Sequence, residues 1–484
     1  MNVRRWVFPG AAVMLVLGAY AFYGSVGTFD FPRVSWDRTY TKPGEGYYSS
    51  LAEGFRRGRL SMAHEADPKL ISLHDPYDPN VRHFYGAPYL WDASYFDGKY
   101  YLYFTPLPAL LFYLPFRLLR GAYPPDGLAA AFFGTWAFVM CVAAAWRALA
   151  GRRLHVPFSL WVLMIGLGNV VPLTLIYVRV YELAILCGMA MSATWGYALV
   201  RFLESGSARR AVWMGFWLAM AIAARPNLAV LLLPTLLVLP WRKWRVLVGC
   251  AVPLAIVGAM VMSYNYARFR SITEFGVTYQ LTFAPMRDHR VCSLCDAPEA
   301  FRFFNNTMHY VWWAPPIRSD FPYVGVSYNA LDPSVTFPGG VVEPMLGVGP
   351  VNPLTLIAAL LAVLMLFHRR PRDHATRSGL WLLAASWLVL FGLATCWYIV
   401  ARYALDFELL MIVATVILIE AGITFLDEAG VMVWPLRIGA IVVALYSILL
   451  GVFLGFTGPQ SAFEKTNPER YKTLYEALSV KKKP

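Results

Sequence analysis

The stretch that decides the topology is "WDASYFDGKYYLYFTPLPALLFYLPFRLL", Trp91 to Leu119. Its second half is apolar enough to suggest a membrane span. Yet it carries Pro106, Pro108 and Pro115, Arg117 and Arg120 close it, and an acidic, aromatic run with Asp92, Asp97 and Lys99 precedes it.

The rest of the chain sets the frame for that choice. Of 484 residues 58% are hydrophobic and 15% charged, too apolar for an ordinary soluble protein. About 20 apolar residues cross the roughly 30 Å of bilayer hydrocarbon. Such runs lie near 6–25, 128–149, 156–177, 183–203, 211–224, 228–240, 246–264, 351–368, 379–399, 404–425 and 438–456. The expected fold class is an all-α polytopic membrane protein, a bundle of about 11 transmembrane helices. Arg225-Pro226-Asn227 separates the two short runs at 211–224 and 228–240, giving either two tilted spans or one broken hairpin.

The net charge of +13 sits in short connections: Arg4-Arg5, Arg152-Arg153, Arg209-Arg210, Trp241 to Arg245, and Arg369 to Arg377. Short cytoplasmic loops carry such an excess, so no nucleic-acid partner is implied. If 102–119 crossed the membrane, the last four clusters would all face outward. If it lies on the outer interface, they fall inside with the N-terminus. The prolines disfavour a straight span, and the aromatic residues with Arg117 and Arg120 suit an interfacial amphipathic helix.

The chain then divides into a first transmembrane helix (1–25, read as uncleaved), an extracytoplasmic loop with an interfacial helix (26–124) and transmembrane helices 2–7 (125–264). A second extracytoplasmic loop (265–350), transmembrane helices 8–11 (351–456) and a C-terminal tail (457–484) follow. An odd number of spans places the tail outside, at odds with Lys481-Lys482-Lys483. Cys292 and Cys295 lie in the second outer loop, where a lone C-x-x-C reads as a disulfide or two thiols rather than a zinc site.

Ionisable groups at membrane depth are functional candidates. Five groups converge on the outer face: Glu45; Asp92, Asp97 and Lys99; Arg179 and Glu182; Arg225; and Arg402, Tyr403 and Asp406. Taken singly each has an ordinary reading, as a solvated loop acid, a snorkelling arginine or an i,i+3 helix pair. Gathered on one face, carboxylates and arginines could bind a lipid phosphate and deprotonate an acceptor.

The order of "YYSSLAEGFRRGRL", the G-K-Y-Y-x-Y-F-x-P-x-P-A-L segment, "GFWLAMAIAARPNLAVLLLP" and "ARYALDFELL" resembles the GT-C glycosyltransferases. Among these are the protein O-mannosyltransferases and the aminoarabinose transferase of lipid A. "YNYARFRSITEFGVTYQL" (264–281) has a near equivalent in bacterial relatives. The resemblance implies a polyprenyl-phosphate-linked sugar donor, a glycan, lipid or protein acceptor, and an active site on the extracytoplasmic side of the inner (plasma) membrane. It implies an acidic general base near Glu45, although Gly44 stands where the family has Asp, and Asp30, Asp37 and Asp92 stay candidates. It places a second acid at Glu182 and a donor-phosphate contact at Arg402 and Tyr403, with Arg179, Arg225 and Lys99 as further substrate-binding candidates. A divalent cation assists some members, and no ligand set here specifies one. The rival reading is a transporter or flippase of lipid-linked saccharides, whose folds carry broken spans.

Overall fold

The computed structural model describes residues 4–31, 46–288, 297–328, 343–367, 373–396 and 399–479. Its framework is ten helices: α1 (Arg4–Gly24), α2 (Asp126–Ala148), α3 (Phe158–Leu167), α4 (Val180–Ser205), α5 (Ala208–Ala224), α6 (Trp244–Phe269), α7 (Leu354–Phe367), α8 (His374–Ala394), α9 (Glu408–Glu428) and α10 (Trp434–Thr457). Six of them, α2, α4, α6, α8, α9 and α10, are long and apolar enough to cross a membrane. The protein is therefore an all-α, membrane-embedded bundle.

The remaining apolar runs are shorter or interrupted, for identifiable reasons. The run at 156–177 is divided into α3 and a short helix Val171–Leu175, with Gly168 to Val170 between them. The backbone N–H groups freed at this break are not left bare: Glu408 accepts from Val170 at 3.1 Å, and Asn169 accepts from Val171 at 2.8 Å. Buried backbone donors require such partners. The run at 228–240 starts as a 3₁₀ segment at Pro226 and becomes α-helical only at Leu232–Val238. Helix α5 has 17 residues, about 26 Å of rise.

α4 and α9 form the centre, buried along nearly their whole length, whereas α6 is peripheral. Val248, Val252, Ile256 and Met260 repeat every fourth residue along its outer side and are all exposed, the stripe expected of a lipid-facing surface. Close helix contacts use small residues, as membrane helices do: Gly215 of α5 meets the Cys250 carbonyl of α6, and Gly451 of α10 meets the Leu167 carbonyl of α3.

The two ends of the bundle differ in chemistry. At one end Arg201 and Arg210 approach Glu204 at 3.1 and 2.8 Å, Arg147 joins them, and Arg152 pairs with Asp373 at 2.6 Å. At the other end lie the long connections. The C-terminal tail is there too: Asn467 donates to the Val26 carbonyl at 2.8 Å, and Tyr471 packs on Phe321 with ring centroids 5.6 Å apart.

The stretch at 102–119 enters that second end as a π turn, Ala109–Tyr113, continuing into a helix Leu114–Arg120. Together they rise about 18 Å, short of a bilayer crossing. Tyr113 is buried against Tyr48, Phe112 stacks on Phe132 at 4.6 Å, and Leu110, Leu118 and Leu119 are exposed.

Candidate functional site

Asp-Gly at 97–98 closes a hairpin between β1 (Ser94–Phe96) and β2 (Lys99–Tyr101), both turn residues having positive φ. This is the geometry a two-residue hairpin favours. A segment of the second loop lies along its edge. Ser94 donates to the Gly276 carbonyl at 2.8 Å, Leu281 N–H to the Ala93 carbonyl at 2.9 Å, and Asp92 N–H to the Leu281 carbonyl at 2.9 Å. Two segments nearly 190 positions apart in the chain are thereby sewn together around Asp92.

Asp92 itself has φ +58, a conformation Asp tolerates better than most side chains. It is 9% exposed, and its Oδ1 accepts from Gln280 Nε2 at 2.9 Å while Oδ2 accepts from the Tyr181 hydroxyl. Burial raises the pKa of this carboxyl, with the hydrogen bonds from Tyr181, Thr282 and Gln280 opposing the rise. A carboxylate whose pKa lies above its ordinary value is better matched to proton abstraction near neutrality.

Beside it stands a charged cluster. Glu343 accepts from Arg402 Nη1 at 2.7 Å and from Arg179 Nη2 at 3.5 Å. Burial pushes the Glu343 carboxyl up, but the two guanidinium groups prevail and hold it below its ordinary value. Arg179 and Arg402 also flank the Tyr181 ring, at 5.0 and 5.2 Å from its centroid. A second pair lies next to the first: Arg225 Nη2 donates to Asp406 Oδ2 at 2.7 Å, Asn227 donates to the same oxygen at 2.9 Å, and Arg225 sits over Tyr403 at 5.4 Å.

These groups border one cavity of about 1100 Å³, lined at its polar end by Asp92, Arg179, Arg225, Gln280, Glu343 and Arg402. Its apolar lining includes Leu107, Leu110 and Leu111 and, from α6, Val257, Met260 and Val261. Leu110 and Met260 are exposed on the outer surface, so the cavity joins a charged interior to a lipid-facing opening.

Of the residues singled out in the sequence, Asp92, Arg179, Arg225, Arg402 and Tyr403 lie on the cavity wall. Glu182 lies behind it. Its carboxylate accepts from the backbone N–H and guanidinium of Arg179, at 2.9 and 3.1 Å, and lies 3.6 Å from Arg402 Nε. Its carboxylate is thus engaged by both arginines. Lys99 is exposed on β2, away from the cavity wall. Glu45, Asp37, Cys292 and Cys295 lie outside the described residues, and Asp30 is exposed beyond α1. The residues just after Glu45 are close to the site: the Tyr47 hydroxyl donates to the Trp91 carbonyl.

Tyr181, Gln280, Glu343 and Arg268 also line the cavity, and no sequence pattern marks them. Tyr181 lies between Arg179 and Glu182 in the chain. Glu343 is a lone acid in a Gly- and Pro-rich loop, with no local pattern to mark it. Among the described residues no group of three or more His, Cys, Asp or Glu side chains is placed to hold a metal ion. The chain matches no protein-family model and no curated protein sequence.

Proposed function

We propose that this protein is an integral-membrane glycosyltransferase of the GT-C type, which moves a sugar from a polyprenyl-phosphate-linked donor to an acceptor hydroxyl of a glycan, lipid or protein. The observation that carries the reading is the cavity, in which a buried carboxylate and several arginines stand at the head of an apolar channel open to the lipid-facing side. A donor with a long hydrocarbon chain, one phosphate and one sugar has that distribution of chemistry. The wider topology belongs to this proposal: eleven crossings, the basic end of the bundle in the cytoplasm, and the site on the extracytoplasmic side of the inner membrane.

The mechanism is a single displacement. Asp92, oriented by Tyr181 and Gln280, takes the proton of the acceptor hydroxyl. That oxygen attacks the anomeric carbon as the bond from that carbon to the phosphate oxygen breaks, and the electron pair leaves with the polyprenyl phosphate. The configuration at the anomeric carbon inverts. Charge grows on the leaving phosphate, where a preorganised cation is most effective.

Breaks at Gly168 to Val170 and at Arg225-Pro226 favour the second reading, a transporter or flippase of lipid-linked saccharides. Incubating the purified protein with a radiolabelled polyprenyl-phosphate sugar and an envelope extract as acceptor decides between them. Release of polyprenyl phosphate with label transferred, lost in Asp92→Asn, supports the enzyme. Movement of intact donor between leaflets without turnover overturns it.

A further inference from the structure

Four arginines line the cavity, and three of them face carboxylates. Arg179 meets Glu182 and Glu343, Arg402 meets Glu343, and Arg225 meets Asp406. Arg268 is arranged differently. It is 4% exposed, near the end of α6, and its two anchoring bonds go to neutral oxygens: Nη1 to the Leu102 carbonyl at 2.6 Å and Nη2 to Asn265 Oδ1 at 2.8 Å. Among the described residues no carboxylate pairs with it, and neither its Nε nor the Tyr264 hydroxyl has a hydrogen-bond partner. Its guanidinium lies 4.0 Å from the Tyr264 ring centroid, one helical turn earlier, and 4.6 Å from that of Phe269.

A carbonyl, an amide and two aromatic faces fix the plane of a guanidinium and ease its burial, but they do not neutralise it. Buried charges in proteins are ordinarily paired, and a guanidinium is suited to phosphate. The surroundings of Arg268 describe the rest of the partner. One, two and three turns back along α6 lie Tyr264, then Met260 and Val261, then Val257, all on the cavity wall, which Leu107, Leu110 and Leu111 also line. A buried cation with no carboxylate in contact, Glu274 acting on it only through space, thus stands on the wall of a cavity whose apolar lining reaches the surface at Met260 and Leu110.

We propose that Arg268, assisted by Tyr264, is the subsite for the phosphate of a long-chain lipid phosphate whose chain lies along the apolar lining beside α6. This rests on the donor reading above and narrows it. The anchoring of the phosphate moves to Arg268, and the paired arginines Arg179, Arg225 and Arg402 keep the roles of shaping the sugar end and holding Asp92 and its neighbours in place.

The test uses the full-length protein in detergent and three probes: decaprenyl phosphate, decaprenol, and dioleoyl phosphatidic acid. The quantity read is the preference for decaprenyl phosphate over decaprenol, which is insensitive to the fraction of protein folded. Arg268→Gln is expected to lower that preference about 10- to 100-fold, the worth of a charge-assisted contact, with decaprenol binding unchanged. Tyr264→Phe lowers it less. Arg268→Lys, which keeps the charge, retains most of it and serves if the glutamine variant does not fold. Phosphatidic acid bound with the same dependence on Arg268 supports the subsite and identifies a bilayer headgroup as one source of its phosphate.

A preference untouched in Arg268→Gln and in Tyr264→Phe makes Arg268 a strut between α6 and Leu102, and overturns the proposal. The donor reading fails separately. Arg268-dependent phosphate binding by a wild-type protein that transfers no sugar retains the subsite and removes the glycosyltransferase.

Discussion

The Tyr181 hydroxyl donates to Oδ2 of Asp92 from a ring flanked by the guanidinium groups of Arg179 and Arg402. This contact joins the carboxylate on the first long loop to the first turn of α4, and through the arginines to Glu343 on the second loop. A donor to the ionised carboxylate stabilises that form. Tyr181→Phe keeps the ring between the arginines and deletes the donor alone. The expected result is a kcat reduced about 10-fold or more, in the range of one charge-assisted hydrogen bond. The acid limb of the pH–rate profile moves to higher pH. A lower kcat with an unmoved limb would detach Tyr181 from the ionisation of Asp92.

The pH dependence of the wild type follows from Asp92 in the same way. Burial raises the pKa of this carboxyl above its ordinary value, so the proton is held to a higher pH than in a solvated aspartate. Below the raised pKa the group is protonated and cannot accept the hydroxyl proton. Transfer should therefore rise with pH through an acid limb above the ordinary aspartate range and then level. Asp92→Asn should remove the limb together with about 10²- to 10⁴-fold of the rate, the usual worth of a general base. An Asn variant that retains activity and the limb would assign the base to another acid, Glu45 first.

Arg225 and Asp406 supply a stability test. Their side chains are 14% and 0% exposed, and they are linked through both Nε and Nη2. Removing one partner of a buried pair leaves an uncompensated charge, at a cost of about 3–5 kcal/mol, whereas replacing both by apolar residues of similar volume is often near neutral. Asp406→Leu alone should lower the midpoint of thermal unfolding in detergent strongly, and Arg225→Met with Asp406→Leu should recover much of the loss. A double variant as unstable as the sum of the single ones would show that the pair does not act as a unit.

How far the sequence discloses this site depends on how local each residue's role is. Runs of apolar residues mark the six helices long and apolar enough to cross a membrane because a crossing is a property of one contiguous segment. The same rule counts 156–177 as a crossing and misses its break, because the compensation comes from Glu408, more than 230 positions away. Asp92, Arg179, Arg225 and Arg402 are visible as charges beside apolar runs. Gln280 is not, since what brings it to the site is the pairing of the second loop with the hairpin at 94–101, and neither is Glu343, whose partners Arg179 and Arg402 are 164 and 59 positions away. Arg268 stands in a stretch quoted for its resemblance to bacterial relatives. Its distinguishing feature, a buried cation whose hydrogen bonds go only to neutral oxygens, exists only once α6, Leu102 and Asn265 are placed together.

At Met260 the cavity wall reaches the exposed surface. Met260 is 66% exposed, belongs to the lipid-facing stripe of α6, and also lines the cavity. Lysine at this position keeps a flexible stem of similar length, and its ammonium is drawn to the interface, across the path of a hydrocarbon chain. The helix itself is not weakened, since Lys and Met have similar helix propensity. Met260→Lys should therefore raise the KM for a decaprenyl-phosphate sugar while leaving kcat near its wild-type value. A donor with a short, water-soluble prenyl chain should show little change in KM, because its chain does not reach the opening. Equal increases for both donors would place the lipid away from the apolar lining beside α6.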